Sequence, residues 1–355
     1  MIVKNESELI RRCLESAKPL IDYWVIVDTG STDETREIIR DFMSDIPGEL
    51  HERPWKNFEH NRNEALELAK DTADYVLFLD ADDLYVTGSD FHFPEVMDKD
   101  FYYITVKHAN MRHKRPELIK TALEWRWEDV LHEAIGPLWG KTSDVLNGIT
   151  YLVGGGGARS QDPEKFKKDI EVLKQALETK PNHNRYVFYL AQSYRDAGEK
   201  EEAIKTYEKR VKMRGWDQEV FWSLLQIALL KEELGYEENE VINAYKAAYR
   251  YKPNRVEPLY FAMLYHWKHG NFAEGYRIGK LALGLKKTTD TLFVDHGIYD
   301  YYFLLYYSLC AYQEGHMREA YLASKWILEK EAIPDYIRDR VEKNIEVYLP
   351  LMVDF

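Results

Sequence analysis

Three carboxylates follow a short apolar segment in the N-terminal half of the chain. Tyr75 to Leu79 is rich in residues that favour strands, and Asp80, Asp82 and Asp83 come directly after it. This pattern predicts a buried parallel strand that carries acid groups at its C-terminal end, where open α/β sheets bind ligands. Alternate strand residues share a face, so Asp80 and Asp82 are predicted to hold one hard divalent cation and leave coordination sites for phosphate oxygens. The simpler alternative is that the acids end a strand and begin a solvated loop.

Three further motifs precede this segment. They are Met1-Ile2-Val3-Lys4-Asn5-Glu6, Ile26-Val27-Asp28-Thr29-Gly30-Ser31-Thr32-Asp33 and Arg62-Asn63. Together with Asp80-Ala81-Asp82 they resemble, in order and in approximate spacing, the nucleotide-sugar half of the family 2 glycosyltransferases with the GT-A fold. One D-x-D is a weak signal in an acidic chain, whereas four motifs in the family's order are a strong one. The resemblance covers about the first 155 residues and implies a Rossmann-like nucleotide-diphospho-sugar transferase domain.

The resemblance implies roles for individual residues. Asp28 is expected to accept a hydrogen bond from the nucleotide base, and a carboxylate suits the ring N–H of uracil or guanine. Arg62 is expected to reach the diphosphate, because a guanidinium is always charged and donates in a planar fork. Asn5, Glu6 and Asp80 are predicted to belong to the same nucleotide-sugar site. For Asp28 the alternative is an ordinary cap residue.

A second group of acidic and aromatic residues lies at 124–133. In many glycosyltransferases of this type the last acid of such a segment acts as base toward the acceptor hydroxyl, and by position we expect Glu133 to do so. The pair Glu128-Asp129 is the alternative, and both interpretations stay open. His132 is a candidate metal or phosphate ligand, although a histidine beside aromatic residues is at least as often a packing residue.

Four consecutive glycines at 154–157 end regular structure before the C-terminal half. Arg159 follows them, and two interpretations apply to this segment. It is either a loop that closes on the donor diphosphate, with Arg159 in the nucleotide-sugar site, or a linker between domains. It lacks the strand and lysine that a nucleotide-binding P-loop requires.

Beyond residue 163 the pattern is helical and quasi-repetitive. Leu190, Tyr194, Gly198 and Tyr207 fall at the spacings of a tetratricopeptide (TPR) helix pair, and weaker units follow with drifting spacing. Such units stack into a superhelix whose inner groove suits a peptide or glycan, although aromatic residues at repeat positions are mostly core.

These patterns predict two domains. The first is an α/β GT-A domain at 1–158, and the second is an all-α, TPR-like repeat domain at 159–355.

Composition limits the classes of partner. The chain has 355 residues, a formal net charge of −13 and two cysteines. An acidic chain argues against nucleic acid or an anionic membrane surface as the main partner. The distant cysteines indicate neither a disulfide framework nor a zinc site, and no apolar run approaches the ~20 residues of a spanning helix. With no signal-peptide pattern, we expect a soluble, cytoplasmic protein with a residue or two upstream of Met1.

The sequence and the resemblance therefore predict a metal-dependent hexosyltransferase, and the resemblance implies inversion at the anomeric carbon. Its expected cofactor is Mn²⁺ or Mg²⁺, and its expected donor is a nucleoside-diphosphate sugar, with UDP favoured. The expected acceptor is a peptide, protein or glycan that the repeat domain holds. Two alternatives stay open. One is a TPR-type binding or scaffold protein with an inactive transferase-like domain. The other is a nucleotidyltransferase, which would usually carry a basic, glycine-rich strand-to-loop signature near its N-terminus.

Overall fold

The computed structural model describes residues 1–109, 111–137, 142–330 and 332–352. The chain forms two compact units, Met1–Glu199 and Lys200–Phe355. Among the described residues, all strands belong to the first unit, and the second unit is helical. Within these ranges no helix combines the length and the apolar character needed to cross a membrane.

A three-stranded parallel sheet begins the first unit. Its strands, in spatial order, are β1 (Ile2–Val3), β2 (Trp24–Asp28) and β3 (Gly48–Glu52). The helices between and after them are α1 (Ile10–Ala17), α2 (Thr35–Phe42) and α3 (Phe58–Ala69). Helix residues such as Ile10 and Ile39 are fully buried together with Ile26 of β2. The alternation of parallel strands and helices confirms the predicted α/β start, and it brings the residues after β1 and β2 to one edge of the sheet.

A five-stranded sheet completes the α/β part. Its strands, in spatial order, are β4 (Tyr75–Leu77), β7 (Met111–Lys120), β6 (Phe101–His108), β10 (Ser143–Leu152) and β5 (Leu84–Thr87). A separate two-stranded ribbon contains β8 (Trp125–Glu128) and β9 (Ala134–Pro137). Tyr102, Ile104 and Tyr151 form part of the core of this region.

The strand before the acidic residues differs from the prediction. We expected a buried parallel strand, but β4 has three half-buried residues and pairs antiparallel with β7. The prediction was wrong because the long β6 and β7 hairpin returns beside β4, which becomes an edge strand. Asp80 and Asp82 lie beyond the strand, in a turn where the Asp83 N–H donates to the Asp80 carbonyl at 3.1 Å.

Two helices, α4 (Lys165–Thr179) and α5 (Asn184–Asp196), complete the first unit. Ion pairs hold them to the residues around them, including Arg159 to Asp169 and Arg185 to Asp129. The compact units therefore divide after α5, whereas the predicted domain boundary at 158/159 follows the change from strands to helices. That boundary stays a prediction.

The second unit is a series of helix hairpins. Its helices are α6 (Lys200–Met213), α7 (Asp217–Glu233), α8 (Glu238–Tyr251), α9 (Glu257–Lys268), α10 (Phe272–Ala282), α11 (Phe303–Gln313), α12 (Met317–Leu328) and α13 (Asp335–Tyr348). Gly235, Gly270 and Gly315 follow α7, α9 and α11 with φ of 70°, 70° and 79°, a conformation that favours glycine at the end of a helix. This arrangement confirms the predicted all-α, TPR-like repeat. The segment 283–297 lengthens the connection between α10 and α11, which explains why the spacing of the repeat units along the sequence drifts.

A close helix contact in this unit depends on Gly279. A Cβ at this position in α10 would lie 2.5 Å from Cδ2 of Tyr307 and 3.0 Å from Sδ of Met263. Gly279→Ala should therefore lower the free energy of unfolding by about 1–3 kcal/mol through overpacking. Gly284→Ala is the matched control, because a Cβ there meets no atom within 4 Å. Denaturant titration measures both variants, and equal stability would contradict the close contact.

Candidate active site

A cleft of about 650 Å³ lies beside the residues that follow β1 and β4. Its lining includes predicted site residues from three of the four motifs and from the segment after the four glycines. They are Asn5, Glu6, Arg62, Asp80, Asp82 and Arg159. The fold thus brings together residues that are far apart in sequence.

Arg62 connects two acids of the site. Its Nη2 donates to Oδ1 of Asp80 at 2.7 Å, and its Nε donates to Oε1 of Glu133. The guanidinium also lies over the ring of Trp127, with Cζ 4.9 Å from the ring centroid. Burial alone would lower the pKa of Arg62, but Asp80 and Glu133 outweigh that effect and raise it. A permanently charged group therefore joins α3 to both acidic segments.

Asp80 is also held by Tyr151 of β10. The Tyr151 hydroxyl accepts the Asp80 N–H at 3.2 Å and donates to Oδ2 of Asp80 at 3.3 Å. Arg115 of β7 lies over the Tyr151 ring, with Cζ 4.4 Å from its centroid. Burial opposes ionisation of Asp80, yet Arg62 and Arg115 together hold its pKa below the usual range. The sequence analysis did not identify Tyr151 and Arg115 as site residues. The available signal was the alternation of polar and apolar residues along β10 and β7.

Asp82 and Glu6 converge beside the glycine-rich segment. A Cβ on Gly157 would lie 2.7 Å from Oδ2 of Asp82 and 3.0 Å from Oε1 of Glu6. Glu6 accepts the Ala158 N–H at 2.9 Å, and burial raises the pKa of Glu6 to about 7. Two carboxylate oxygens thus lie against Gly157, and carboxylate oxygens are ligands that suit a hard divalent cation. Within the described ranges, however, no three His, Cys, Asp or Glu side chains come together as a metal site.

The glycine-rich segment packs directly on the acidic turn. The Gly154 N–H donates to Oδ1 of Asp83 at 2.9 Å, and a Cβ on Gly154 would lie 2.3 Å from the Asp82 carbonyl oxygen. These contacts favour the interpretation of a loop at the site over that of a plain linker.

Asp28 at the end of β2 is 1% exposed. Its Oδ1 accepts the N–H groups of Gly30 and Ser31, both at 2.9 Å, and holds the turn in which Gly30 has φ of 109°. Its Oδ2 is buried and has no hydrogen bond from the described residues. Asn5 braces the same turn, because its Oδ1 accepts the Thr32 N–H at 2.7 Å. One carboxylate oxygen of Asp28 thus stabilises the turn, and the other has no partner there.

Asp129 and His132 lie in the loop between β8 and β9, and both contact α5. The carboxylate of Asp129 forms ion pairs with His183 at 3.3 Å and with Arg185 at 3.2 Å. The ring of His132 stacks on Tyr189, with 3.8 Å between centroids and 13° between planes. Neither residue lines the cleft. The structure therefore does not assemble the predicted metal set that includes His132.

Arg159 belongs to a basic part of the cleft. It pairs with Asp169 of α4, and its Cζ lies 4.5 Å from the ring centroid of Phe58. Lys165 and Lys168, from the first turn of α4, also line the cleft. Acidic and basic groups thus share one cavity.

A second cavity of about 550 Å³ contains residues of β2 and β4 in its lining, which is mainly apolar. Glu6, Asp80 and Asp82 line the 650 Å³ cleft and not this cavity. We therefore assign ligand binding to the first cleft.

The space beside Gly157 provides a direct test of this assignment. Gly157→Ala should displace the Asp82 and Glu6 carboxylates and weaken Mn²⁺-dependent binding of UDP by about 10-fold. Gly136→Ala in β9 is the control, since a Cβ there has no neighbour within 4 Å. Calorimetric titration of both variants measures the effect, and an unchanged affinity for Gly157→Ala would exclude this space as the binding site.

Comparisons with known proteins give matches in both parts of the chain. The model of glycosyl transferase family 2 matches residues 1–134. The SPbeta prophage-derived glycosyltransferase SunS of Bacillus subtilis is 25% identical over 225 residues, which are 59% of this chain and 52% of SunS. The chain spans about half the length of the curated relatives it matches first.

Two further matches concern TPR proteins. A TPR repeat-containing protein of Synechococcus elongatus is 40% identical over 83 residues, which are 23% of this chain and 19% of that protein. A solved TPR protein of Thermus thermophilus is 14% identical with a TM-score of 0.36, covering 51% of this chain and 91% of its own. Residues 1–134 thus form a domain that is similar to glycosyl transferase family 2.

Proposed function

We propose that the protein is a metal-dependent glycosyltransferase that moves a hexose from a nucleoside-diphosphate sugar to an acceptor, with inversion at the anomeric carbon. The observation that carries the proposal is the Arg62 bridge, which joins Asp80 of the D-x-D motif, a residue of the cleft lining, to Glu133. A transferase needs a site for the leaving diphosphate close to a base for the acceptor, and this bridge keeps the two groups together.

The donor base is assigned to Asp28. Its Oδ2 is buried without a hydrogen bond from the described residues, and a buried carboxylate oxygen gains from a donor. A carboxylate accepts the ring N–H of uracil or guanine, whereas adenine has no such donor at that position. This favours a uridine or guanosine diphosphate sugar over an adenosine one, and of the two we propose a UDP-sugar.

The donor diphosphate is assigned to the part of the cleft that contains Arg62, Arg159 and Lys165. Asp80 and Asp82 would hold Mn²⁺ or Mg²⁺, with Glu6 beside Asp82. When bound, such a cation would neutralise charge that develops on the departing diphosphate. The guanidinium groups provide fixed positive charge at the same place.

Glu133 is our choice for the base, in preference to Asp129. The oxygens of Asp129 are engaged in ion pairs with His183 and Arg185. Glu133 does not itself line the cleft, but it pairs with Arg62, which does. In the reaction, the acceptor hydroxyl gives its proton to Glu133 while its oxygen forms a bond to the anomeric carbon. The bond from that carbon to the diphosphate breaks on the opposite side, and the electron pair leaves with the diphosphate.

The acceptor is assigned to the helix hairpins of the second unit. Their series of hairpins is the type of architecture that offers an extended binding surface, and a peptide, protein or glycan suits it. The cytoplasmic location expected from the sequence stays a prediction.

The full-length chain tests this function with a panel of UDP-, GDP- and ADP-sugars and added Mn²⁺. We expect slow hydrolysis of a UDP-sugar, which Asp82→Asn should reduce together with Mn²⁺-dependent UDP binding. Glu133→Gln should lower kcat for transfer to an acceptor by about 10²- to 10⁴-fold and leave UDP affinity close to wild type.

Glu128→Gln is the matched control, because Glu128 is exposed in β8 and should keep full activity. Activity that is independent of metal, or a preference for an ADP-sugar, would contradict the proposed site. A loss for Glu128→Gln equal to that for Glu133→Gln would move the base to Glu128.

A further inference from the structure

The loop that ends at Glu133 has an unusual backbone. Asp129 and His132 both have positive φ, at 82° and 53°, although neither is glycine. Side chains with a Cβ adopt this conformation rarely, and it persists only where surrounding contacts impose it. The contacts that impose it here come mainly from α5, a helix outside the residues matched by the family 2 model.

Arg185 of α5 contacts both of these residues. Its Nε lies 3.2 Å from Oδ2 of Asp129, and its Nη2 donates to the His132 carbonyl at 2.9 Å. His183 lies 3.3 Å from the other oxygen of Asp129. A guanidinium is suited to this task, because its planar fork reaches a carboxylate and a carbonyl at the same time.

Aromatic packing adds to the same attachment. The His132 ring stacks on Tyr189 of α5, and the Cζ of Arg185 lies 5.0 Å from the centroid of the same Tyr189 ring. The backbone between the two positive-φ residues is therefore tied at both ends. Glu133 is the next residue, and its side chain is 9% exposed.

We propose that Arg185 is a positioning residue for the reaction, which sets the place of Glu133 by holding the loop 129–132 on α5. The inference rests on the proposed function, in which Glu133 is the base. The contacts are continuous from α5 to the acidic turn. Arg185 holds Asp129 and the His132 carbonyl, and Glu133 is the next residue in the chain. Arg62 then links Glu133 to Asp80. The helical part of the chain thereby serves the chemistry as well as any acceptor. Small misplacements of a catalytic group are costly, on the order of 100-fold for about 1 Å.

The test compares Arg185→Ala with Arg40→Ala in the full-length chain. Arg40 is the control because it is exposed on α2 and makes a surface ion pair with Glu52 at 3.7 Å. For Arg185→Ala we expect a loss of about 10- to 100-fold in kcat for transfer, with UDP affinity within about twofold of wild type. Amide hydrogen exchange at 129–134 should accelerate by about 10-fold or more, and it should not change in Arg40→Ala.

A second variant keeps the test valid if Arg185→Ala folds poorly. Asp129→Asn keeps the shape of the side chain but removes the charge that Arg185 meets, and it should show the same two effects in weaker form. In the Asp129→Asn background, Arg185→Ala should cost less in kcat than in the wild-type background, because one of the two contacts between Arg185 and the loop is then already weakened.

Each outcome decides the inference. Unchanged exchange at 129–134 in Arg185→Ala would overturn it, whatever happens to activity. Faster exchange with unchanged kcat would also overturn it, because the contact would then be structural only. If wild type transfers no sugar from any donor of the panel, the proposed function fails, while hydrogen exchange still shows whether Arg185 holds the loop.

Discussion

The guanidinium of Arg62 is the constraint on which the site depends. Without it, the largely buried Glu133 carboxylate and Asp80 would both lose their ion pair with Arg62, and removing one partner of a buried ion pair is strongly destabilising. Its position on α3 means that the helix after β3, the turn after β4 and the loop after β8 are fixed relative to one another. Trp127 covers the guanidinium and limits its contact with water.

The backbone conformations around this charge network are also restricted to a few residue types. Gly154 and Gly157 allow the glycine-rich segment to lie against the acidic turn, where a side chain would collide with Asp82. Asp129 and His132 accept a rare conformation because α5 holds them. The site is therefore assembled from the α/β part and the first helices after it, and all of these residues belong to one compact unit.

The sequence predicted the fold class and much of the cleft, but not all of its geometry. Asp80, Asp82 and Arg62 were found because four motifs occur in a known order, and the structure brings them together. The antiparallel pairing of β4 was missed, because an apolar run of strand formers does not specify its partner. The contacts of Asp129 and His132 were also missed, since they depend on α5, which lies about 50 residues further along the chain and carries no local signal toward the loop.

The most direct measurement is a double-mutant cycle of Arg62→Met and Glu133→Gln on kcat for sugar transfer at saturating donor. If Arg62 and Glu133 act as one unit, the double variant should lose no more than about threefold beyond the worse single variant. Losses that multiply independently would contradict the account, because the two side chains would then serve the reaction separately.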